Sequence, residues 1–181
     1  MLEKRLNDTV SMRLIEKRDA AALFAMVEAG RKDFEQWIPF VSKTKTLEDA
    51  VGYVTRFLGM YSDATGYVFG LWDGPVMIGT VMIKDMDHAA KVAEIGYMVA
   101  RNYRGQGLAA KACADMIDFL FTKLGFQKVV LGCDERNEPS IAIAKRFGFE
   151  LEGVLKRAIT INGELCSSMQ WALFRENYSP G

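Results

Sequence analysis

The sequence is poor in the residues that build metal centres and histidine-dependent active sites. It holds one histidine and three cysteines in 181 residues. Cys113, Cys133 and Cys166 are far apart and lack CxxC spacing, which argues against a zinc site or a disulfide framework and predicts reduced, buried thiols. His88 lies in a polar stretch, Asp85 to Lys91, and reads as a surface residue; no second histidine is present to serve a triad. No metal is expected. Charge of either sign is not in surplus, with 23 basic and 23 acidic side chains. A nucleic-acid binder usually carries a basic excess, so no direct nucleic-acid partner is expected. No apolar run approaches the roughly 20 residues that cross a membrane, and Met1 to Val10 does not resemble a secretory signal. No membrane partner is expected, and a cytoplasmic location is. Repeats, low-complexity segments and Pro/Gly/Ser-rich linkers are all missing, which predicts one domain over residues 1–181. Half of the residues are hydrophobic, enough for a substantial core.

The patterns present read as a mixed α/β chain. Ser11 to Ile15 suits a first strand. Asp19 suits an N-cap before a helix with Ala20, Leu23, Phe24 and Val27 on one face. A second helical piece containing Phe34 and Trp37 is expected to stop before Pro39. Thr46-x-x-Asp49 resembles a capping box opening a helix with Val51, Val54, Leu58 and Tyr61. Tyr67 to Trp72 and Val76 to Ile83 read as strands around an Asp73-Gly74 turn, and Val92 to Val99 as another. From Gly107 the period becomes helical: Leu108, Ala112, Met116 and Leu120 form one apolar row, and Gly125 suits the residue after the helix. Lys128 to Cys133 is a short strand, Asn137 to Phe147 a helix, and Glu150 to Ile161 with Glu164 to Leu173 a hairpin around Asn162-Gly163. The order predicts a sheet with helices on both faces.

The segment with the clearest chemistry is Arg101-Asn-Tyr-Arg-Gly-Gln-Gly-Leu-Ala-Ala110. Gly105 and Gly107 allow the backbone to bend ahead of a helix whose first N–H groups have no internal partner. Such a turn seats an anion, a pyrophosphate above all, and Arg101 and Arg104 add charge. The P-loop pattern GxxxxGK(S/T) is absent. Gly105-x-Gly107-x-x-Ala110 formally fits the dinucleotide fingerprint, but four residues, Arg101 to Arg104, separate it from the strand, and too little chain follows for two nucleotide-binding halves.

Arg104-Gly-Gln-Gly107-Leu-Ala109 fits Q/R-x-x-G-x-G/A instead, the acyl-CoA pyrophosphate loop of the GNAT acetyltransferases. Ala93-Glu-Ile-Gly-Tyr-Met-Val99 resembles that family's fourth strand. Asn137-Glu-Pro-Ser140 and Phe147-Gly-Phe149 resemble its later signatures. Glu152-Gly153 and the ending Phe174-Arg-Glu-Asn-Tyr178 are similar to the RimJ/RimL branch, the ribosomal-protein N-terminal acetyltransferases.

The resemblance implies a mixed, mainly antiparallel sheet of about seven strands, with the fourth and fifth splayed apart. It implies acetyl-CoA as cosubstrate and direct transfer of acetyl to a primary amine, a protein N-terminal amine foremost. A small amine such as a polyamine or an aminoglycoside, and a non-catalytic CoA-binding module, are the alternatives. The pyrophosphate is expected on Arg104, Gly105, Gln106, Gly107, Leu108 and Ala109. The pantetheine is expected along Met98 and Val99, with a backbone N–H near Met98 polarising the thioester carbonyl, and Asn137 contacting CoA. Glu94 is a candidate general base and otherwise a cross-strand partner of a basic residue. The tyrosine that many relatives carry four residues before Gly148-Phe149 is Ala144 here, which leaves Ser140 as the candidate donor to the departing sulfur. Trp37, Phe40, Tyr67 and Trp72 are candidates for lining the acceptor pocket or packing the core. A homodimer through the last hairpin is open by analogy.

Overall fold

The computed structural model describes residues 3–179. A single eight-stranded sheet runs in the order β1-β2-β3-β4-β5-β6-β8-β7. The extra strand relative to the sequence reading is β1, Glu3–Arg5, which pairs antiparallel with β2, Val10–Leu14. Its three exposed, charged residues have no alternation of apolar and polar that would mark a strand. The turn between the two is fixed by Asn7, whose Oδ1 accepts from the N–H groups of Thr9 at 3.0 Å and Val10 at 2.7 Å.

Helices α1 (Ala20–Phe34), α2 (Pro39–Lys43) and α3 (Leu47–Ser62) follow. Asp19 precedes α1 as expected but does not cap it. Its carboxylate turns back to accept from both Arg13 guanidinium ends at 2.8 Å and from the Glu16 N–H at 2.8 Å. An arginine fork outcompetes one helical N–H for a largely buried carboxylate. Pro39 opens α2 rather than ending a helix, since a first helical position needs no N–H; Trp37 lies in the turn before it. The capping box of α3 is formed as read: Thr46 Oγ1 accepts from Asp49 N–H at 3.2 Å, and Asp49 Oδ2 accepts from Thr46 N–H at 2.9 Å.

Strands β3 (Tyr67–Asp73), β4 (Val76–Asp87) and β5 (Val92–Val99) form an antiparallel meander. Then α4, Leu108–Asp118, continues into a wider turn, Phe119–Lys123, closed by Leu124 N–H on Phe119 O at 3.1 Å. Strand β6 (Lys128–Asp134), helix α5 (Glu138–Arg146) and the hairpin β7 (Glu150–Ile161) and β8 (Glu164–Phe174) complete the chain. Val27, Val54, Phe57, Val68 and Trp72 pack under α1 and α3 on one sheet face. Ile95, Cys113, Met116, Phe121, Val129 and Trp171 pack under α4 on the other. All three thiols are free and buried.

Candidate active site

Among the described residues, the only parallel neighbours in the sheet are β5 and β6, and they stay paired only from Val92–Lys128 to Ile95–Leu131. Beyond that the strands diverge, as the splay implied. Main-chain alternation determines what faces the gap. Ala100 N–H donates to Ile78 O at 2.8 Å. Hydrogen-bonded pairs recur every second residue in an antiparallel ladder, so Met98 bonds across to Thr80 on β4. The backbone groups of Tyr97 and Val99 then face the gap. An N–H directed into the gap therefore comes from one of these two rather than from Met98, whose own N–H serves the ladder.

After Val99 the chain turns through Arg101–Tyr103 and bends at Gly105 (φ 78°) and Gly107 (φ 72°). Open space surrounds both glycines, so the left-handed backbone, not crowding, requires them. Gly107 is the residue that starts α4, and Lys111 is the first amide to reach back to its carbonyl, at 2.9 Å. Among the described residues, the amides from Gly105 to Ala109 have no backbone acceptor. They sit at the positive end of α4, an anion seat built from main chain. Arg104 reaches Val99 O through Nε at 3.0 Å, which folds its guanidinium toward this end of the gap.

A cavity of about 630 Å³ fills the gap. Its walls include Met98, Val99 and Arg104, the turn at Gly105 and Gly107, and the start of α4 at Leu108 and Ala109. Asn137 and Ser140 wall it from α5. Gln106 does not line it; its side chain points away and donates to Asn102 O at 3.4 Å. Glu94 also lies outside the wall and is ion-paired with Lys84, a cavity residue made available by a bulge in β4. Of the four candidate acceptor residues, Trp37 lines the cavity. The others pack: Phe40 stacks on Tyr53 at 4.4 Å, Tyr67 meets Phe119 edge-on at 6.0 Å, and Trp72 lies beneath the Arg13 guanidinium at 4.1 Å.

Asn137 caps α5, accepting from Ser140 N–H at 3.2 Å, and so fixes the residue that carries the hydroxyl. Ser140 Oγ accepts from the Tyr97 hydroxyl at 3.0 Å. Burial pushes the Tyr97 phenol well above its ordinary range, and the bond to Ser140 pulls it back only in part. Sequence reading did not single out Tyr97. Beside the cavity lies a polar groove of about 250 Å³, lined by Gln36, Trp37, Arg136, Ile161, Asn162 and Glu164. Trp37 belongs to both. Arg136 grips the buried Asp134 carboxylate with Nε and Nη2, each at 2.9 Å, and holds it down at about 2.

A gap with strand backbone groups of Tyr97 and Val99 along one wall, a row of amides without backbone acceptors at one end and a pair of hydroxyls across it suits a long thioester with a pyrophosphate. The fold and site define an acyl-CoA-dependent acyltransferase. The acetyltransferase (GNAT) domain family matches residues 10–150, and the chain belongs to that family: it is an acetyl-CoA-dependent N-acetyltransferase. Over 181 residues it is 25% identical to YdaF of Bacillus subtilis (strain 168), named as a candidate ribosomal N-acetyltransferase, covering 98% of each chain. It is 32% identical to spermidine N(1)-acetyltransferase of Escherichia coli (strain K12) over 55% of this chain and 54% of that one. Among solved structures it resembles RimL, a ribosomal L7/L12 alpha-N-protein acetyltransferase with coenzyme A, at TM-score 0.88, 20% identity and coverage of 94% and 96%. Mycobacterium smegmatis RimJ in complex with CoA-disulfide aligns at TM-score 0.85 and 26% identity, covering 92% of this chain and 82% of that one.

Proposed function

We propose that this acetyltransferase acts on the N-terminal amine of a protein, working in the cytoplasm as a single domain over residues 1–181. The carrying observation is the groove at Trp37. It offers one carboxylate, Glu164, and one guanidinium, Arg136, beside Gln36 and Asn162. That mixture suits a peptide backbone with its hydrogen-bonding groups, whereas a polycation calls for several free acids, and here Asp134 is engaged by Arg136 and Glu164 lies 4.0 Å from the same guanidinium. The match to YdaF over nearly the whole chain supports the same reading.

Acetyl-CoA brings the activated acetyl group. The amides from Gly105 to Ala109 and Arg104 hold the pyrophosphate, with Gln106 contributing its main chain. Tyr97 and Val99 offer backbone partners to the pantetheine, Met98 shapes the wall, and Asn137 keeps Ser140 in place. An N-terminal amine needs little activation, because its reference pKa is about 8. Glu94 takes its surplus proton through water once separated from Lys84. Ser140 donates a hydrogen bond to the departing sulfur. Exposed Leu151, Val154 and Leu155 on the edge strand β7 favour a homodimer there.

The test is mass spectrometry after incubation with acetyl-CoA and either peptides beginning Ser or Ala, or spermidine. One acetyl mapped to the peptide α-amine is the expected result. Acetylspermidine with untouched peptides would assign the enzyme to small amines. Binding of acetyl-CoA without transfer to either acceptor would favour the non-catalytic alternative.

A further inference from the structure

We propose that Tyr97 is a positioning residue that aims the Ser140 hydroxyl at the sulfur of the bound thioester. The inference rests on Ser140 being the leaving-group donor. It adds how a serine hydroxyl, a mobile rotor with one proton, is made to point the useful way.

Ser140 stands in the first turn of α5, where its N–H is held by Asn137 Oδ1 at 3.2 Å and Asn137 O at 3.0 Å. The backbone is fixed, but the hydroxyl can rotate about its own bond. A serine in a helix can also spend its proton on a carbonyl one turn back. Tyr97 comes from β5, 43 residues away in the chain, and places its hydroxyl 3.0 Å from Ser140 Oγ. Both residues line the cavity. A phenol is the stronger acid of the two and the better donor, so the bond runs from Tyr97 to Ser140. Once Ser140 Oγ accepts there, its own proton is directed elsewhere, and the cavity is the open side. Burial keeps the phenol protonated, so it remains a donor and does not act as a base.

The step balances without consuming either hydroxyl. The amine nitrogen forms the C–N bond, the C–S bond breaks, and its electron pair passes to sulfur. The amine's surplus proton leaves through water. Ser140 meets the new negative charge with a hydrogen bond, and Tyr97 strengthens that bond by polarising the serine oxygen.

The test compares wild type, Tyr97→Phe, Ser140→Ala and the double variant in two assays. The first needs no acceptor: calorimetric binding of CoA and of desulfo-CoA, at a pH above that of the free thiol's titration. Wild type is expected to prefer CoA by about tenfold, the worth of a hydrogen bond to a charged partner. Tyr97→Phe should lose most of this preference while holding desulfo-CoA normally, and Ser140→Ala should abolish it. The second assay measures acetyl transfer to a Ser-initiated peptide. Here Tyr97→Phe should lower kcat about tenfold with KM for acetyl-CoA within about twofold. In the Ser140→Ala background it should have no further effect. Failure to acetylate the peptide with the CoA preference intact would refute the acceptor reading alone. Full preference retained by Tyr97→Phe would overturn the proposal. So would an equal loss for both ligands with a lowered melting temperature, which marks a packing role. An effect undiminished in the Ser140→Ala background would overturn it as well.

Discussion

Asp134 keeps its charge with 2% of its surface exposed, because Arg136 supplies two side-chain hydrogen bonds and a backbone N–H at 2.8 Å. Its carboxyl is held down at about 2, below the ordinary value near 3.9. A depressed acid stabilises the fold fully above its unfolded pKa and loses that contribution as pH falls toward the folded one. Urea midpoints should therefore separate wild type from Asp134→Asn by about 2 kcal/mol at neutral pH, and the gap should close between about pH 4 and pH 2. Ala144 makes a second case. It is fully buried in the core on the face of the sheet that α4 covers, whereas Ser140 and Ile143 on the same helix reach the cavity. Ala144→Tyr should cost about 1–3 kcal/mol by overpacking, read as a lower melting temperature, without raising kcat. At this scale the sequence was legible where chemistry is local. Asn137 and Ser140 sit three residues apart and announce a helix start. Tyr97 was silent because nothing near it in the chain reveals the hydroxyl it meets. Glu94 was legible as an acid on a strand, but Lys84, which claims it, enters through a bulge that no pattern marks.

Some elements were read to the residue: β5 from its apolar pattern, and β7 as the first arm of the hairpin around Asn162-Gly163. Errors fell where two local signals compete. Pro39 is both a helix stopper and a favoured first residue, and only the packing of Val41 in the core under α1 shows which applies. The charged β1 is a strand because β2 offers it an edge, a tertiary reason absent from its own three residues. The wide turn Phe119–Lys123 keeps the apolar rows of α4 in place, so periodicity alone saw one helix. The turn into α4 was the clearest element of all, since Gly105 and Gly107 stand where left-handed backbone is needed. Gly107→Ala meets no atom within 4 Å but must hold φ at 72°. It should lower stability by about 1 kcal/mol and weaken acetyl-CoA binding, measurable together as a reduced ligand-induced rise in melting temperature.

The strand order of the whole molecule was legible only as far as short connections dictate neighbours, from β3 to β5 and across the hairpin of β7 and β8. The placement of β8 between β6 and β7 follows from hairpin pairing combined with the long crossover through α4 and α5, and required the structure. Seen whole, the sheet is two antiparallel blocks, β1 to β5 and β6-β8-β7, joined along one short parallel contact from Val92–Lys128 to Ile95–Leu131. Each block is knitted by long ladders, while the contact between them ends where the cavity begins. Apart from the edge pair β1–β2, this is the shortest ladder of the sheet, and it borders the cavity proposed to seat the ligand. Thermal opening should concentrate there as a hinge between blocks. Amide exchange at Tyr97, Val99 and Val129 to Leu131 should be faster than in β3 or β4, and should slow most when acetyl-CoA binds. In the proposed binding mode the cosubstrate serves as the missing rungs between two half-sheets, and its release restores the looseness that admits the next molecule.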